Sequence, residues 1–359
     1  MESNDFVIDK SVLKAYYGSG GDVYIPDGVI TIGDSAFEDC TDLRSIIFPK
    51  SLVSIGSRAF AGADKLMSVA LPESLEKIGY GAFANCSSLT AVNIPKKVTR
   101  IRFDTFIGCK NLTDMTFPES ICEIEENPFE GCNCIRFHAA SDHPYLAVKD
   151  GALFAKPDGR LISCPHTEVQ YQVPDDTKVI GSNAFGYCAG LKSILMPEGI
   201  ACIEEEAFEW CEDLTDVTLP ESLTNIGDHA FVACRNLKSI TLPGKLKNLG
   251  CGIFFDCRSI RHISLPETLI NIGDEAFYNC DSLISITLPE NLTSIGDRAF
   301  EYCDNLRSIT LPKSLTNIGE GVFHRCEESK LIITVFPDSY SEKYCKVNRL
   351  NYIVADDYD

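Results

Sequence analysis

The sequence predicts an α/β repeat solenoid, in which parallel β coils stack, short helical or 3-10 turns join the strands, and both ends are capped. Three observations support this prediction. A phenylalanine recurs every 23 residues, a cysteine usually follows it by three residues, and a short alternating segment ends most repeats before a proline. The recurring phenylalanines are Phe37, Phe60, Phe83, Phe106, Phe129, Phe185, Phe208, Phe231, Phe254, Phe277, Phe300 and Phe323.

The repeat Pro220–Leu242 shows how one coil is built. Lys238 to Leu242 alternates polar and apolar residues, which is typical of a strand with one buried face. Leu223 to Ile226 predicts a second short strand on another side of the coil. Asp228 is a suitable cap for a single helical or 3-10 turn that runs through Cys234.

A column of cysteines follows the phenylalanines, and only Ala63 interrupts it. Free cysteine behaves as a small buried hydrophobe, so alanine is its natural replacement. We therefore predict that the column fills the core and forms no disulfide framework, which favours a reducing compartment. The column contains Cys40, Cys86, Cys109, Cys132, Cys188, Cys211, Cys234, Cys257, Cys280, Cys303 and Cys326.

An interruption separates two blocks of coils. It reads as a β-hairpin and resembles the opening of the chain, because Phe6, Ile8, Val12 and Leu13 match apolar residues 140 positions later. A helix is predicted from Ser339 to Asn348, with Tyr340, Tyr344 and Val347 on one face. The predicted organisation is an N-terminal cap (1–25), five coils (26–140), the irregular hairpin interruption (141–173), seven coils (174–336), and a C-terminal cap and tail (337–359).

The formal charge of −20 disfavours nucleic acid and anionic lipid as partners, because both carry negative charge. An acidic surface also keeps a long solenoid soluble. The sequence shows neither an apolar run long enough to span a bilayer nor a secretory signal. We therefore expect no membrane insertion and a cytoplasmic location, with the cell surface as the alternative.

Short polar side chains flank the buried residue of each predicted strand in the second block. Such columns form an extended surface on which a solenoid can bind a protein, although serine and threonine also suit a crowded sheet. One column contains Ser193, Asp216, Ser239, His262, Ser285 and Ser308, and the other contains Leu195, Thr218, Thr241, Ser264, Thr287 and Thr310.

Large aromatic residues follow the phenylalanine in several coils of the second block. Exposed aromatic residues are typical interface anchors, although these side chains could also fold back over the turn. The set contains Tyr187, Trp210, Phe255, Tyr278 and Tyr302. Together with the two polar columns, it forms the candidate protein-binding surface.

Two further clusters of polar residues have chemical interpretations. The coil from Glu198 to Asp216 is densely acidic, which indicates either a solvated face or attraction to basic partners and cations. The interruption gathers soft ligands without a zinc-like spacing, namely Cys132, Cys134, His138, His143, Cys164 and His166. We predict no metal, no cofactor and no catalytic residue, since no nucleophile elbow, phosphate loop or zincin motif is present.

The repeat Leu-Pro-x-Ser-Leu-Thr-x-Ile-Gly-x-x-Ala-Phe-x-x-Cys-x-x-Leu-x-x-Ile resembles the BspA-like class of leucine-rich repeats over nearly the whole chain. This resemblance implies a leucine-rich repeat solenoid and a non-catalytic role in protein binding. Members of the class include surface proteins that bind host matrix proteins. We therefore predict a protein–protein interaction scaffold, with a cell-surface adhesin as the alternative. The protein partner and the oligomeric state stay open.

Overall fold

The computed structural model describes residues 5–165, 169–326 and 331–355. The chain divides into two compact units, Met1–His166 and Thr167–Asp359. In both units the repeating coil contributes two strands, which we call the front strand and the flank strand. Successive coils pair these strands in parallel, so each coil satisfies backbone groups of its neighbours. The predicted solenoid of parallel β coils is confirmed.

The first unit has six front strands and six flank strands in alternation along the chain. The flank strands are β2 (Val12–Tyr16), β4 (Thr31–Ile32), β6 (Ser54–Ile55), β8 (Lys77–Ile78), β10 (Arg100–Ile101) and β12 (Glu123–Ile124). The front strands are β3 (Gly21–Tyr24), β5 (Leu43–Ile47), β7 (Ser68–Val69), β9 (Ala91–Val92), β11 (Asp114–Thr116) and β13 (Arg136–His138).

Two antiparallel hairpins flank these coils in the sequence. Strand β1 (Phe6–Asp9) pairs with β2, and β14 (Leu146–Lys149) pairs with β15 (Ala152–Ala155), which also pairs with β16 (Arg160–Ser163). Ile8 lies opposite Leu13, and Val148 lies opposite Leu153. The predicted similarity between residues 140 positions apart is therefore a similarity of hairpin register.

The second unit alternates in the same way. Its front strands are β17 (Gln170–Gln172), β19 (Ser193–Leu195), β21 (Asp216–Thr218), β23 (Ser239–Thr241), β25 (His262–Ser264), β27 (Ser285–Thr287), β29 (Ser308–Thr310), β31 (Ile332–Val335) and β32 (Tyr352–Val354). Its flank strands are β18 (Val179–Ile180), β20 (Cys202–Ile203), β22 (Asn225–Ile226), β24 (Asn248–Leu249), β26 (Asn271–Ile272), β28 (Ser294–Ile295) and β30 (Asn317–Ile318).

One α-helix, α1 (Tyr340–Val347), lies within the described part of the chain. Ser339 caps it, since its side chain accepts a hydrogen bond from the Glu342 amide. The predicted helix is confirmed, and the spacing of Tyr340, Tyr344 and Val347 keeps them on one side of it, which is not the side with the fully buried residues. Ser341 and Cys345 form the buried face, whereas Val347 is 80% exposed.

The recurring phenylalanines form a stacked column in the core of each unit. Phe208 and Phe231 are fully buried, and their ring centroids lie 5.0 Å apart with an angle of 2° between the planes. Stacked pairs of this kind stabilise a core beyond the area that they bury. One coil is 23 residues long, and this length places the phenylalanine ring of each coil against the ring of the next.

The turn around each phenylalanine, predicted as helical or 3-10, contains no helical segment in the described coils. In the coil of Phe231, the amides of Val232 and Cys234 donate to the carbonyls three residues earlier, so isolated turns form. His229 and Ala233 both have a φ of 56°, in the left-handed region. These residues reverse the chain twice within five positions and prevent a continuous helix, so the described coils are β and turn only.

The flank strand ends at a close approach between neighbouring coils. A Cβ atom on Gly227 would lie 2.5 Å from the amide nitrogen of Glu205 in the preceding coil. Glycine is required there because any side chain would collide with the preceding coil. Its conformational freedom also allows the backbone to turn after the strand. The short distance between coils thus explains why glycine stands at the end of the flank strand.

Candidate surface of the second unit

The front strands place their central residue inside the coil and its two neighbours outside. Ile240 is buried, whereas Ser239 and Thr241 are exposed. The β23–β25 register places Ser239 opposite His262 and Thr241 opposite Ser264. The structure therefore brings the two predicted columns together on one face of the second unit, which spans the sheet of β17, β19 and β21 and the sheet that begins at β23. We call it the front face. Its exposed members are Leu195, Asp216, Thr218, Ser239, Thr241, His262, Ser264, Ser285, Thr287, Ser308 and Thr310, and Ser193 is half-buried.

A third row borders the front face, one residue before the serine column, and the sequence analysis missed it. Backbone hydrogen bonds connect successive members, as from the Arg261 amide to the Lys238 carbonyl at 3.3 Å. The row contains Lys192, Thr215, Lys238, Arg261, Ile284 and Arg307, and it contains no acidic residue. Listing the residues 23 positions apart from Lys238 would have revealed this row in the sequence.

The five predicted aromatic residues form two groups on the surface. Tyr187 and Trp210 stack with centroids 6.0 Å apart. Phe255 stacks on Tyr278 at 4.5 Å, and Tyr278 meets Tyr302 edge to face at 5.3 Å. We call these groups the Trp210 pair and the Tyr278 cluster. The coil between them carries Val232 and Ala233 at the equivalent positions, so the aromatic set is divided.

Arg235 fills the position beside the Trp210 pair. Its guanidinium lies 4.7 Å from the centre of the Trp210 ring, a distance typical of a cation–π contact. Its Nη1 lies 2.7 Å from Glu212, and its Nε lies 2.8 Å from Asp256. Arg235 therefore holds the tryptophan from one side while the neighbouring carboxylates hold the arginine.

Asp256 is the buried carboxylate of this network. Its Oδ1 accepts from the Nε of Arg258 at 2.7 Å. Burial opposes ionisation, but Arg258 and Arg235 outweigh it and keep the pKa of Asp256 below its usual value. Glu209, beside Trp210, behaves differently, since burial and the neighbouring Glu206 raise its pKa.

Both aromatic groups include residues with left-handed backbone. Tyr187, Trp210 and Tyr302 have φ values of 56°, 53° and 60°. A left-handed conformation costs an ordinary residue about 1–2 kcal/mol. The equivalent residues of the first unit are glycine, asparagine or aspartate, namely Asp39, Gly62, Asn85, Gly108 and Gly131. Aromatic side chains therefore occupy corners where the backbone itself favours small residues.

The acidic coil between Glu198 and Asp216 partly serves the backbone of neighbouring coils. The carboxylate of Glu198 accepts from the amides of Glu221 and Ser222 at 3.0 Å and 3.1 Å. Asp213 accepts from the amide of Gly190 at 3.1 Å. These carboxylates satisfy turn donors, which is a structural role that the sequence analysis did not consider.

The soft ligands of the interruption have other contacts. His143 is buried, and its Nδ1 accepts from the amides of Tyr145 and Leu146 while its Nε2–H donates to the Pro118 carbonyl at 3.1 Å. Cys132 donates its thiol to a backbone carbonyl, and His166 lies outside the described residues. Within the described ranges, no group of three histidine, cysteine, aspartate or glutamate side chains is arranged for a metal.

The family model of the BspA type leucine-rich repeat region matches the chain in six copies. They fall within residues 14–136, 163–281 and 248–346, which cover most of the chain. The chain belongs to this family. No curated protein sequence matches the chain significantly. Across the described residues, no helix combines the length and the apolar character needed to cross a membrane.

Solved structures of bacterial leucine-rich repeat proteins are similar to this chain. A Eubacterium ventriosum protein is 23% identical with a TM-score of 0.77, and 88% of each chain is covered. The pneumococcal vaccine antigen PcpA is 24% identical with a TM-score of 0.65, covering 95% of this chain and 80% of that one. A leucine rich cell surface protein from Faecalibacterium prausnitzii is 21% identical with a TM-score of 0.59, covering 92% and 96%. These similarities show the fold.

Proposed function

We propose that this chain is a non-catalytic scaffold that binds a protein partner through the front face and the two aromatic groups of its second unit. The observation that carries the proposal is the placement of Tyr187 and Trp210 at left-handed corners. The intrinsic backbone preference disfavours both residues there, and neither side chain is needed to fill the core. A role outside the folded chain accounts for this arrangement.

The arrangement of the rings fits a protein partner. Tyr187 and Trp210 stack along the direction of the coils, with an angle of 11° between their planes. Tyr187 is 43% exposed and Trp210 is half-buried, so their outer parts are available while the stack fixes their positions. Tryptophan, tyrosine and arginine are the residues that most often dominate protein interfaces.

The hydroxyl columns of the front face supply the second part of the interface. Hydroxyl groups both donate and accept, so they adapt to the backbone and polar side chains of a partner. The rows repeat once per coil, at a spacing of about 4.8 Å, which gives an extended binding surface in place of a pocket.

Two cellular locations are proposed for the chain, the cytoplasm and the cell surface. The buried cysteine column favours the reducing cytoplasm, whereas the similar solved structure from Faecalibacterium prausnitzii is of a leucine rich cell surface protein. Protease treatment of intact source cells separates the two. Protection of the chain until lysis supports an internal scaffold, whereas its loss from unlysed cells supports a surface adhesin.

Site-specific photocrosslinking tests the binding surface. A photoreactive residue at Ser285 lies on the front face, and one at Thr316 lies on another exposed side of the second unit. We expect a discrete crosslinked protein from Ser285 and none from Thr316. Equal crosslinking from both positions, or none from Ser285, would remove the front face from the proposal.

A further inference from the structure

The basic row beside the front face is unusual for a chain with a formal charge of −20. Four of its six positions are basic, and Lys192, Lys238, Arg261 and Arg307 are all exposed. In the first unit the same spacing gives Arg44, Met67, Thr90, Thr113 and Arg136, so two of five positions are basic, and Arg136 is paired with Asp114. Positive charge is therefore concentrated on one row of the second unit.

The cations of this row differ from the arginines beside the aromatic groups. Arg235 and Arg258 are both paired with Asp256. Lys192, Lys238 and Arg261 make no ion pair with the residues that the structure describes. A negatively charged ligand could therefore pair with these three cations.

The surroundings of the row specify the shape of such a ligand. On the far side of the front face, a column with four acidic residues among six positions runs parallel to the row. It contains Glu198, Glu221, Gly244, Glu267, Glu290 and Lys313. A broad acidic surface would meet this column and be repelled. A narrow chain that follows the row contacts the cations and the hydroxyl groups, and it stays clear of the glutamates. Asp216 is the one carboxylate within the two columns, and it accepts a hydrogen bond from the Thr215 hydroxyl at 2.7 Å.

We propose that the basic row binds an acidic, extended polypeptide segment of the partner; this inference rests on the protein-binding function proposed above. The row spans five coil intervals from Lys192 to Arg307, or about 24 Å, which an extended segment of about seven residues covers. Carboxylates of the segment pair with the row, and the hydroxyl groups bind its backbone.

Two features favour a peptide over other polyanions. Leu195 on the front face is 41% exposed, and Ile284 in the basic row is 40% exposed. Both offer apolar contacts to the side chains of a peptide, whereas a sulfated glycan has no apolar side chains. The strands from β19 to β29 carry no tyrosine, tryptophan or phenylalanine, so they provide no stacking surface of the kind that single-stranded nucleic acid requires.

The test uses the full chain and a fluorescent peptide of ten glutamates, with ten lysines as the peptide control. We expect saturable binding of the glutamate peptide that weakens with added salt, because screening acts over about 8 Å at physiological ionic strength. The double variant Lys238→Glu and Arg261→Glu should weaken binding roughly tenfold. The matched control Lys245→Glu and Lys247→Glu changes the net charge by the same amount at positions away from the row. Its affinity for the glutamate peptide should fall by less than threefold.

Equal losses in the two double variants would overturn the inference, since the effect would then come from net charge. Binding of a sulfated glycan or single-stranded DNA without binding of the glutamate peptide would also overturn it. A partner that crosslinks at Ser285 and binds the Lys238→Glu, Arg261→Glu variant unchanged contradicts this inference alone. Absence of any crosslink at Ser285 contradicts the proposed function as well.

Discussion

The thiol of Cys234 donates a hydrogen bond to the carbonyl oxygen of Phe208, one coil earlier, at 3.2 Å. Eight further cysteines of the column make the same bond to a phenylalanine 26 residues earlier, for example Cys86 to Phe60 and Cys303 to Phe277. Alanine fills this site but cannot donate. The bond therefore adds a reason for cysteine to the core-filling role that the sequence predicted.

Replacing Cys234 with alanine should lower the free energy of unfolding by about 1–2 kcal/mol, because a buried carbonyl loses a donor and a small void opens. Urea denaturation measures this change. The reciprocal variant Ala63→Cys places the missing thiol in the column and should leave stability equal or slightly higher. A Cys234→Ala variant as stable as the parent would show that the thiol bond contributes nothing.

Replacing Phe231 with alanine should cost on the order of 3–5 kcal/mol, since a large cavity opens in the stacked column. Phe255 is the control in the neighbouring coil, because it lies half-buried on the surface. Its replacement with alanine should cost about 1 kcal/mol or less. Similar losses at the two positions, measured by thermal and urea denaturation, would contradict the assignment of the core column.

Stability should fall as the pH rises above about 9. Burial raises the pKa of the Cys86 and Cys132 thiols to about 12, whereas an unfolded thiol ionises near 8.5. The folded pKa is the higher one, so the contribution is fully present below the unfolded pKa and is lost as the pH rises toward the folded pKa. Each such thiol removes about 1.4 kcal/mol per pH unit in that window.

Urea denaturation at pH 7.5, 9 and 10 measures this dependence. A variant with several column cysteines replaced by alanine is the control, and its stability should decline less steeply. Equal stability of the parent chain at pH 7.5 and pH 10 would contradict the protonated, buried column.

Replacing Ala233 with glycine should raise stability by about 1 kcal/mol, because its φ of 56° favours glycine over any residue with a Cβ. Ala230 is buried in the same coil and lies outside the left-handed positions. The control Ala230→Gly should therefore lower stability by about 1 kcal/mol. Opposite signs are the expected result, and a loss in both variants would contradict the left-handed corner.

The core was predictable from the sequence because it repeats. The column of Phe231, the buried Ile240 and the outward Ser239 and Thr241 follow from the period of 23 and the alternation within a strand. The conformation of the turn was not predictable, because the pattern around Phe231 suits a short helix. Only the backbone shows that His229 and Ala233 are left-handed.

The candidate surface was predictable in part. Its front columns follow from strand alternation, and the residues stand where the pattern placed them. The division of the aromatic set was missed because it depends on which side chains meet across coils, such as Tyr278 and Tyr302. The thiol bond of Cys234 was missed for the same reason, since its acceptor lies one coil earlier and 26 residues away.

The second unit is proposed to bind a protein through its front face and aromatic groups. The most direct measurement is the affinity of the protein crosslinked at Ser285 for Trp210→Ala and Tyr278→Ala variants. The control is Tyr80→Ala, since Tyr80 is an exposed aromatic of the first unit with Arg102 placed 4.6 Å from its ring. We expect each second-unit variant to lose at least tenfold in affinity while Tyr80→Ala stays within twofold of the parent. Unchanged affinity in both second-unit variants, with folding intact, would contradict the claim.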